Sequence, residues 1–311
     1  MTSPNLPNLI IPGVQKSGTT YLVALLTQHT DVFVPQVKEP AHFMAIVEDE
    51  IYTPNGVKRR FGYKPRPDYE ALFADAGTAT WRVDASTCYW SSAKIAAEIS
   101  KTCGPCKIIC VLRNPIERAH SAFVYHRQIG WEDNADFDQA LTSEKDMVDA
   151  GKYLAQPYLK VGYYAQHLTA WRAQFGADNV HVVLFDDLKE DPQKTVNGAC
   201  DFLRIPHQEV NLEVEKNVSF RALTGWKGRA MRVLTGGSSD SAVFRAVRKT
   251  ISPQMRHRLR EGVSKRMRPT LGTSKPAPLQ PAQRAALTDL YHDDIDALSV
   301  LLDRDLSHWK A

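Results

Sequence analysis

The sequence predicts an α/β fold in three layers, a central parallel sheet flanked by helices. Three observations predict it. Short apolar runs alternate with stretches of helical periodicity between Asn8 and Leu203, the pattern that gives right-handed parallel crossovers. Lys107 to Leu112 is a continuous apolar run, as expected of a strand covered on both faces. A loop containing Gly13 and Gly18 separates the first apolar run from the first helical one.

In chain order, Asn8 to Val14 reads as a strand, and Thr19 to Gln28 as a helix with Leu22, Leu25 and Leu26 on one face. Strands follow at Val32 to Val34, Trp81 to Ala85 and Lys107 to Leu112, with a helix over Ser91 to Thr102. Asn114-Pro115 places a cap and then a proline at the first helical position, so a helix continues from Ile116 to Gln128. A longer helix, Tyr158 to Phe175, leads through Gly176 to a strand over Val180 to Phe185. Asp191-Pro192 opens a helix to Leu203, and Pro281 to Leu302 is an amphipathic helix expected to turn Leu287, Leu290, Tyr291, Leu298 and Leu302 inward. Residues 48–80, rich in proline, glycine and tyrosine, read as an insertion or lid outside the core.

A chain of 311 residues, 43% apolar and 24% charged, can bury a full core as one domain without a metal or disulfide staple. The apolar runs are too short to cross a bilayer, and Met1 to Asn8 is polar, which leads us to expect a cytoplasmic protein. Five cysteines are an odd set without metal-ligand spacing. Cys103-Gly104-Pro105-Cys106 has the spacing of a redox pair but lacks the strand-then-helix setting that activates one. The net charge of +4 is unevenly spread: residues 221–268 carry thirteen Lys and Arg against Asp240 and Glu261. That stretch should face phosphate, an acidic glycan or, weakly, a membrane surface, or else form a solvated helical face. No nucleic-acid partner is expected.

The functional signal begins at Gly13-Val14-Gln15-Lys16-Ser17-Gly18-Thr19-Thr20, between a strand and a helix. Such a loop turns backbone N–H groups and the positive end of the helix toward a phosphate, so the fold is P-loop-like. In a Walker A loop the lysine directly follows the second glycine. Here Thr19 stands there and the lysine is Lys16, at the crest of the loop.

The run Gln15 to Thr20 resembles the 5'-phosphosulfate loop of sulfotransferases that use PAPS (3'-phosphoadenosine 5'-phosphosulfate). Val111-Leu112-Arg113-Asn114-Pro115, followed by Arg118 and Ser121-Ala122-Phe123-Val124-Tyr125-His126, is similar to that family's 3'-phosphate motif. Lys38-Glu39-Pro40-Ala41-His42-Phe43 and Asp84-Ala85-Ser86-Thr87-Cys88-Tyr89 resemble segments of its glycan-modifying branch. Ala41 stands where that branch often has histidine, which is shifted here to His42. Lys227-Gly228-Arg229 looks like the loop closing over the 3'-phosphate, and the segment from Leu287 to Trp309 is like the closing helix of bacterial members.

The resemblance implies PAPS as donor, PAP (its desulfated product) as leaving nucleotide, and no required metal. It implies donor contacts from Lys16, Ser17, Gly18, Thr19, Thr20, Arg113, Ser121, Lys227, Gly228 and Arg229. Lys16 would neutralise charge on the oxygen between phosphate and sulfur, and Glu39 would be the general base, with His42 as an alternative. Lys38, Asp84 and Ser86 are candidate acceptor contacts. Trp81, Trp90 and Trp131 could stack on adenine or a sugar ring, although core packing accounts for most such tryptophans. The acceptor is expected to be a carbohydrate or glycosylated small molecule with a hydroxyl or amine. Two other readings stay open on the residues: a P-loop kinase or NTPase with Val182 to Asp186 as its Walker B strand, and an inactive protein that binds PAP or an anionic glycan.

Overall fold

A computed structural model describes residues 5–62, 65–214 and 278–311. The five expected strands form one parallel sheet: β1 (Leu9–Ile10), β2 (Val32–Phe33), β5 (Trp81–Asp84), β6 (Lys107–Leu112) and β8 (Val180–Leu184) lie in the order β2-β5-β1-β6-β8. β1 is central, with Leu9 opposite Val83 on one side and Lys107 on the other. A second, three-stranded sheet joins β4 (Lys58–Arg59), β3 (Ile51–Tyr52) and β7 (Tyr153–Leu154).

Strand alternation divides the interior in two. Leu9, Ile11, Val83, Ile109, Val111 and Val183 pack with Leu22, Leu25 and Leu26 of α1 (Thr19–Leu26), and with Val196, Ala199 and Leu203 of α9 (Pro192–Leu203). Ile10, Ile108, Cys110 and Leu112 belong to the other core. There they meet α4 (Ala93–Cys103), α5 (Pro115–Ile129), α7 (Tyr164–Phe175) and α10 (Pro281–Leu302). Because successive side chains of a strand point to opposite faces, an apolar run such as β6 feeds both cores. The central layering is as expected.

Local chemistry sets the ends of the helices. The Asn114 side chain accepts from the N–H groups of Ile116 (3.0 Å) and Glu117 (3.4 Å) and so caps α5. It also donates to the carbonyl of Trp309 at 2.9 Å, tying the C-terminal segment to the same turn. α7 starts at Tyr164 instead of Tyr158. The carbonyls that would carry a helix through the preceding turn are claimed by side chains: those of Tyr158, Leu159 and Lys160 accept from Arg118 Nη2, Tyr291 Oη (2.9 Å) and His167 Nε2 (2.8 Å), while the buried Glu144 carboxylate accepts from the N–H groups of the same three residues. Gly162 has no room for a side chain, since a Cβ would lie 2.6 Å from the Tyr291 ring. On α10, Leu287, Tyr291, Ile295 and Leu298 are buried, whereas Leu290, expected inside, is exposed and Leu302 half-buried. Among the described residues four further helices were not read from the sequence: α2 (His42–Val47), α3 (Arg66–Glu70), α6 (Phe137–Asp149) and α8 (Phe185–Glu190).

The expectation that residues 48–80 lie outside the core is corrected by Ile51, Tyr69 and Phe73, all buried, with Tyr69 on α3 (Arg66–Glu70). Tyr69 belongs to a polar knot in the interior. Asp84, fully buried at the end of β5, accepts hydrogen bonds from Tyr69 Oη (2.7 Å), Tyr89 Oη (3.0 Å), Ser86 Oγ (2.6 Å) and the Ser86 N–H (3.0 Å). Ser86 Oγ in turn accepts from the N–H of Ala41 at 2.9 Å, and Tyr89 Oη accepts from the N–H of Phe43 at 3.2 Å. Ala41 sits at φ 51°, in the left-handed region, where the chain leaves Glu39 and enters α2. This corrects the assignment of Asp84 and Ser86 as acceptor contacts: both are sealed from solvent and occupied by internal partners. They hold the Glu39 loop against the sheet.

Burial raises the Asp84 carboxyl to about 6, against the hydrogen bonds from Ser86, Tyr69 and Tyr89 that favour its charged form. A pKa raised in the folded state adds stability at low pH that is lost as pH rises through about 6. Tyr69→Phe removes a donor to the charged form. We expect it to cost about 1–3 kcal/mol near pH 8 and less near pH 5, read as urea midpoints at the two pH values. An equal cost at both would show that the hydroxyl serves both forms of Asp84 alike.

Candidate active site

The site is built where β1 and β6 end side by side. The N–H of Val14 donates to the carbonyl of Val111, and the N–H of Val111 to that of Gly13, both at 2.9 Å, so the phosphate loop is fastened to β6. Lys16 (φ 70°) and Gly18 (φ 87°) both adopt left-handed backbone on either side of Ser17. Such a conformation is costly for a lysine and concentrates at functional loops. Gly18 is hard to replace, because a Cβ would come within 3.0 Å of the Phe185 ring. Directly after it α1 begins with Thr19 and Thr20 and has no acidic residue in its first turn. The first N–H groups of a helix have no partner within it and carry partial positive charge.

Two cations meet at this loop. Arg113, one residue past β6, donates from Nη1 to the carbonyl of Lys16 at 3.2 Å and lies over the Phe185 ring, 5.0 Å from its centroid. Lys16 Nζ lies 4.7 Å from the centroid of the Tyr125 ring. Burial, and then the charge of Arg113, lower the Lys16 pKa from the usual 10.5 to about 8. The Arg113 pKa is also lowered, first by burial. Two mutually repelling, partly dehydrated cations beside a helix N-terminus form a site that an anion stabilises. The Ser17 hydroxyl is fully buried and has no hydrogen-bond partner among the described residues, which fits a group that donates to a phosphate. Ser121 is half-buried in the second turn of α5, one turn after Glu117, whose carboxylate is 3.9 Å from Arg113. The loop and the Arg113 motif, far apart in sequence, thus converge.

Glu39 joins them through the first turn of α1. Its carboxylate, partly open to solvent, accepts from Lys38 Nζ at 3.0 Å and from Thr87 Oγ1 at 3.1 Å. Lys38 Nζ also donates to Thr20 Oγ1 at 3.1 Å. Lys38, expected at the acceptor, therefore links the candidate base to the phosphate loop. His42 does not share this site. It is buried and stacked on Tyr69 at 4.2 Å between ring centroids, so its assignment as alternative base is corrected to a packing role. Lys227, Gly228 and Arg229, with the whole basic stretch 221–268, lie outside the described residues.

The remaining sequence signals resolve into structure. Cys103 and Cys106 are buried together, and their mutual hydrogen bond, reinforced by burial, pushes the Cys103 thiol far up, which disfavours a reactive thiolate. Trp90 and Trp131 are core residues, and Trp81 donates to the carbonyl of Leu203 at 3.2 Å. Asp186, the Walker B candidate, accepts from Trp309 Nε1 at 2.9 Å and pairs with His308 at 3.3 Å, anchoring the C-terminal segment. Gln156, 3.5 Å from Thr87 Oγ1, escaped sequence reasoning, while Phe185, under the Arg113 guanidinium, Tyr125 and Thr87 entered it only as members of longer runs. Phe185 had a usable signal, since it directly follows β8 and ligands in open α/β sheets bind at the carboxyl ends of strands.

Known proteins share the family and the fold of this chain. The family model described as "Sulfotransferase domain" matches residues 95–275. The bifunctional heparan sulfate N-deacetylase/N-sulfotransferase of Drosophila melanogaster is 25% identical over 211 residues, 65% of this chain and 20% of that protein. Bifunctional heparan sulfate N-deacetylase/N-sulfotransferase 2 of Homo sapiens is 27% identical over 206 residues, 66% of this chain and 22% of that protein. The chain thus spans only about a fifth of the length of these relatives. Among solved structures, a sulfotransferase from Alicyclobacillus acidocaldarius superposes with a TM-score of 0.70 at 23% identity, covering 98% of this chain and 99% of that one, a match of fold.

The lowered Lys16 pKa yields a pH test of the site. A bound phosphate favours the charged lysine and returns its pKa toward 10.5, so binding above about pH 8 must take up a proton. We expect the affinity for PAP, measured by calorimetry in buffers of different ionisation heat, to fall as pH rises beyond about 8. In Lys16→Met that decline should vanish. A decline that persists in the variant would place the titrating group elsewhere.

Proposed function

The chain belongs to the sulfotransferase-domain family, whose model covers more than half of it, and from that premise we propose that it transfers a sulfuryl group from PAPS to an acceptor hydroxyl or amine. The observation that carries this reading is the convergence of Lys16 and Arg113 through the hydrogen bond from Arg113 Nη1 to the Lys16 carbonyl. It gives one nucleotide two separate phosphate grips. The loop Lys16 to Thr20 takes the 5'-phosphate and its sulfate, and Arg113 with Ser121 takes the 3'-phosphate. A guanidinium at a strand end suits a terminal phosphate because it can bind bidentately.

In the reaction the acceptor oxygen or nitrogen forms a bond to sulfur while the bond from sulfur to the bridging phosphate oxygen breaks, and PAP departs. Lys16 offsets the charge that grows on that bridging oxygen. Glu39 receives the acceptor proton. Its exposure lets an acceptor approach, and its ties to Lys38 and Thr87 orient it. The names of the heparan sulfate N-sulfotransferases, at 25% and 27% identity, support a carbohydrate acceptor. The kinase reading has less support, because the lysine precedes Gly18 and Asp186 is engaged by Trp309 and His308.

With labelled PAPS and a panel of sugar and aminosugar acceptors, Glu39→Gln should lower kcat by about 10²–10⁴-fold with PAP affinity nearly kept. Lys16→Ala should lose about 10²–10³-fold in turnover and weaken donor binding as well. Near-normal kcat in Glu39→Gln would remove Glu39 from the base role. Arg113→Ala should abolish the preference for PAP over 5'-AMP, whereas equal losses for both ligands would indicate a folding defect.

A further inference from the structure

A line of polar groups, buried from Glu132 to Gln15, runs from the core to the phosphate loop and on through half-buried Gln156 to the exposed Glu39, and its two carboxylate ends fix the direction of the hydrogen bonds in it. At the inner end, Glu132 is buried and, as a carboxylate, only accepts: it takes the Tyr158 O–H at 3.1 Å and the Asn134 N–H at 2.7 Å. With its proton committed, the Tyr158 oxygen faces His126 Nδ1 at 3.2 Å as an acceptor, so Nδ1 carries the hydrogen and Nε2 presents a lone pair. Gln15 Nε2 lies 3.2 Å from that lone pair and donates to it. Its second hydrogen goes to Gln156 Oε1 at 2.5 Å. Gln156 Nε2 then meets Thr87 Oγ1 at 3.5 Å, and Thr87 Oγ1 donates to Glu39 Oε2 at 3.1 Å.

The opposite arrangement, with the proton on His126 Nε2, would gain only the longer 3.4 Å contact to Gln156 Oε1 and would set an N–H against the Gln15 amide. It would also make Tyr158 share its one hydrogen between Glu132 and His126. His126 is fully buried, and burial above all lowers its pKa to about 3, so the ring stays neutral and keeps one donor and one acceptor.

We infer that His126 is a positioning residue: held as the Nδ1–H tautomer by Tyr158 and Glu132, it fixes the Gln15 amide, which through Gln156 and Thr87 sets the carboxylate of Glu39 for the acceptor. The inference rests on the reading of Glu39 as base. The backbone of the phosphate loop is fastened separately, by the Val14–Val111 and Val111–Gly13 hydrogen bonds, so loss of His126 should leave the donor grip in place. Removing the buried partners that orient metal-binding side chains costs about 10–100-fold in activity, and an effect of that order is expected here.

The test combines a spectroscopic and a kinetic readout on the full chain. In protein labelled with ¹⁵N-histidine, His126 should show the Nδ1–H tautomer, and Tyr158→Phe, which keeps the ring but removes the oxygen, should shift it toward Nε2–H. Tyr158→Phe and His126→Leu should each lower kcat about 10–100-fold with PAP affinity within about twofold, and His126→Gln, which restores an acceptor near Nε2, should recover most of the loss. An Nε2–H tautomer in the unmutated protein, or equal losses in kcat and PAP affinity without rescue by glutamine, would overturn the inference. Retained turnover in both His126→Leu and Glu39→Gln would overturn the base reading and the inference with it. Retained turnover in His126→Leu alone would overturn only the inference.

Discussion

The hydrogen bond from Arg113 to the carbonyl of Lys16 depends on one constraint, the pairing of β1 with β6. Parallel neighbours end at the same edge of a sheet, so the loop after each strand emerges beside the other. That brings a lysine held in left-handed backbone, a helix N-terminus and a guanidinium to one place. Burial and the charge of Arg113 lower the Lys16 pKa, so an anion bound there would favour the charged lysine. The site thus has the electrostatics of something made to be filled by phosphate.

Around this edge the protein uses buried carboxylates as fasteners. Asp84 gathers Tyr69, Tyr89 and Ser86, and through them the N–H groups of Ala41 and Phe43, so the segment carrying Glu39 is fixed to the end of β5. Glu144 gathers the N–H groups of Tyr158, Leu159 and Lys160 and fixes the turn before α7. Glu132 holds the Tyr158 hydroxyl. A carboxylate buried without such donors would be strongly destabilising, and with them it gives a loop one position. The active-site loops are therefore ordered from behind, by groups buried beneath them.

Much of this was legible in the sequence. The five strands, the phosphate loop and the cap at Asn114-Pro115 have local signals, because periodicity, glycine placement and capping are properties of neighbouring residues. The convergence of Lys16, Glu39 and Arg113 was legible through the resemblance of three separate segments to one family. What could not be read was which polar residues at strand ends face inward. Asp84 and Ser86 look in sequence like site residues and lie instead beneath the site, and His42, three residues along from Glu39, is stacked on Tyr69. The lid expected over residues 48–80 gives Tyr69 and Phe73 to the core because its aromatics outweigh its turn-rich composition. The start of α7 could not be read because the carbonyls before it are taken by Arg118 and Tyr291, remote in sequence, and by His167.

If the edge formed by β1 and β6 grips one nucleotide at two phosphates, isothermal titration with PAP, 5'-AMP and ATP–Mg²⁺ will reveal it. PAP should bind tightly and the other two weakly, since PAP alone of the three carries both a 5'- and a 3'-phosphate for Lys16 and Arg113 to engage together. Preference for ATP–Mg²⁺ would contradict it and return the loop to the kinase class.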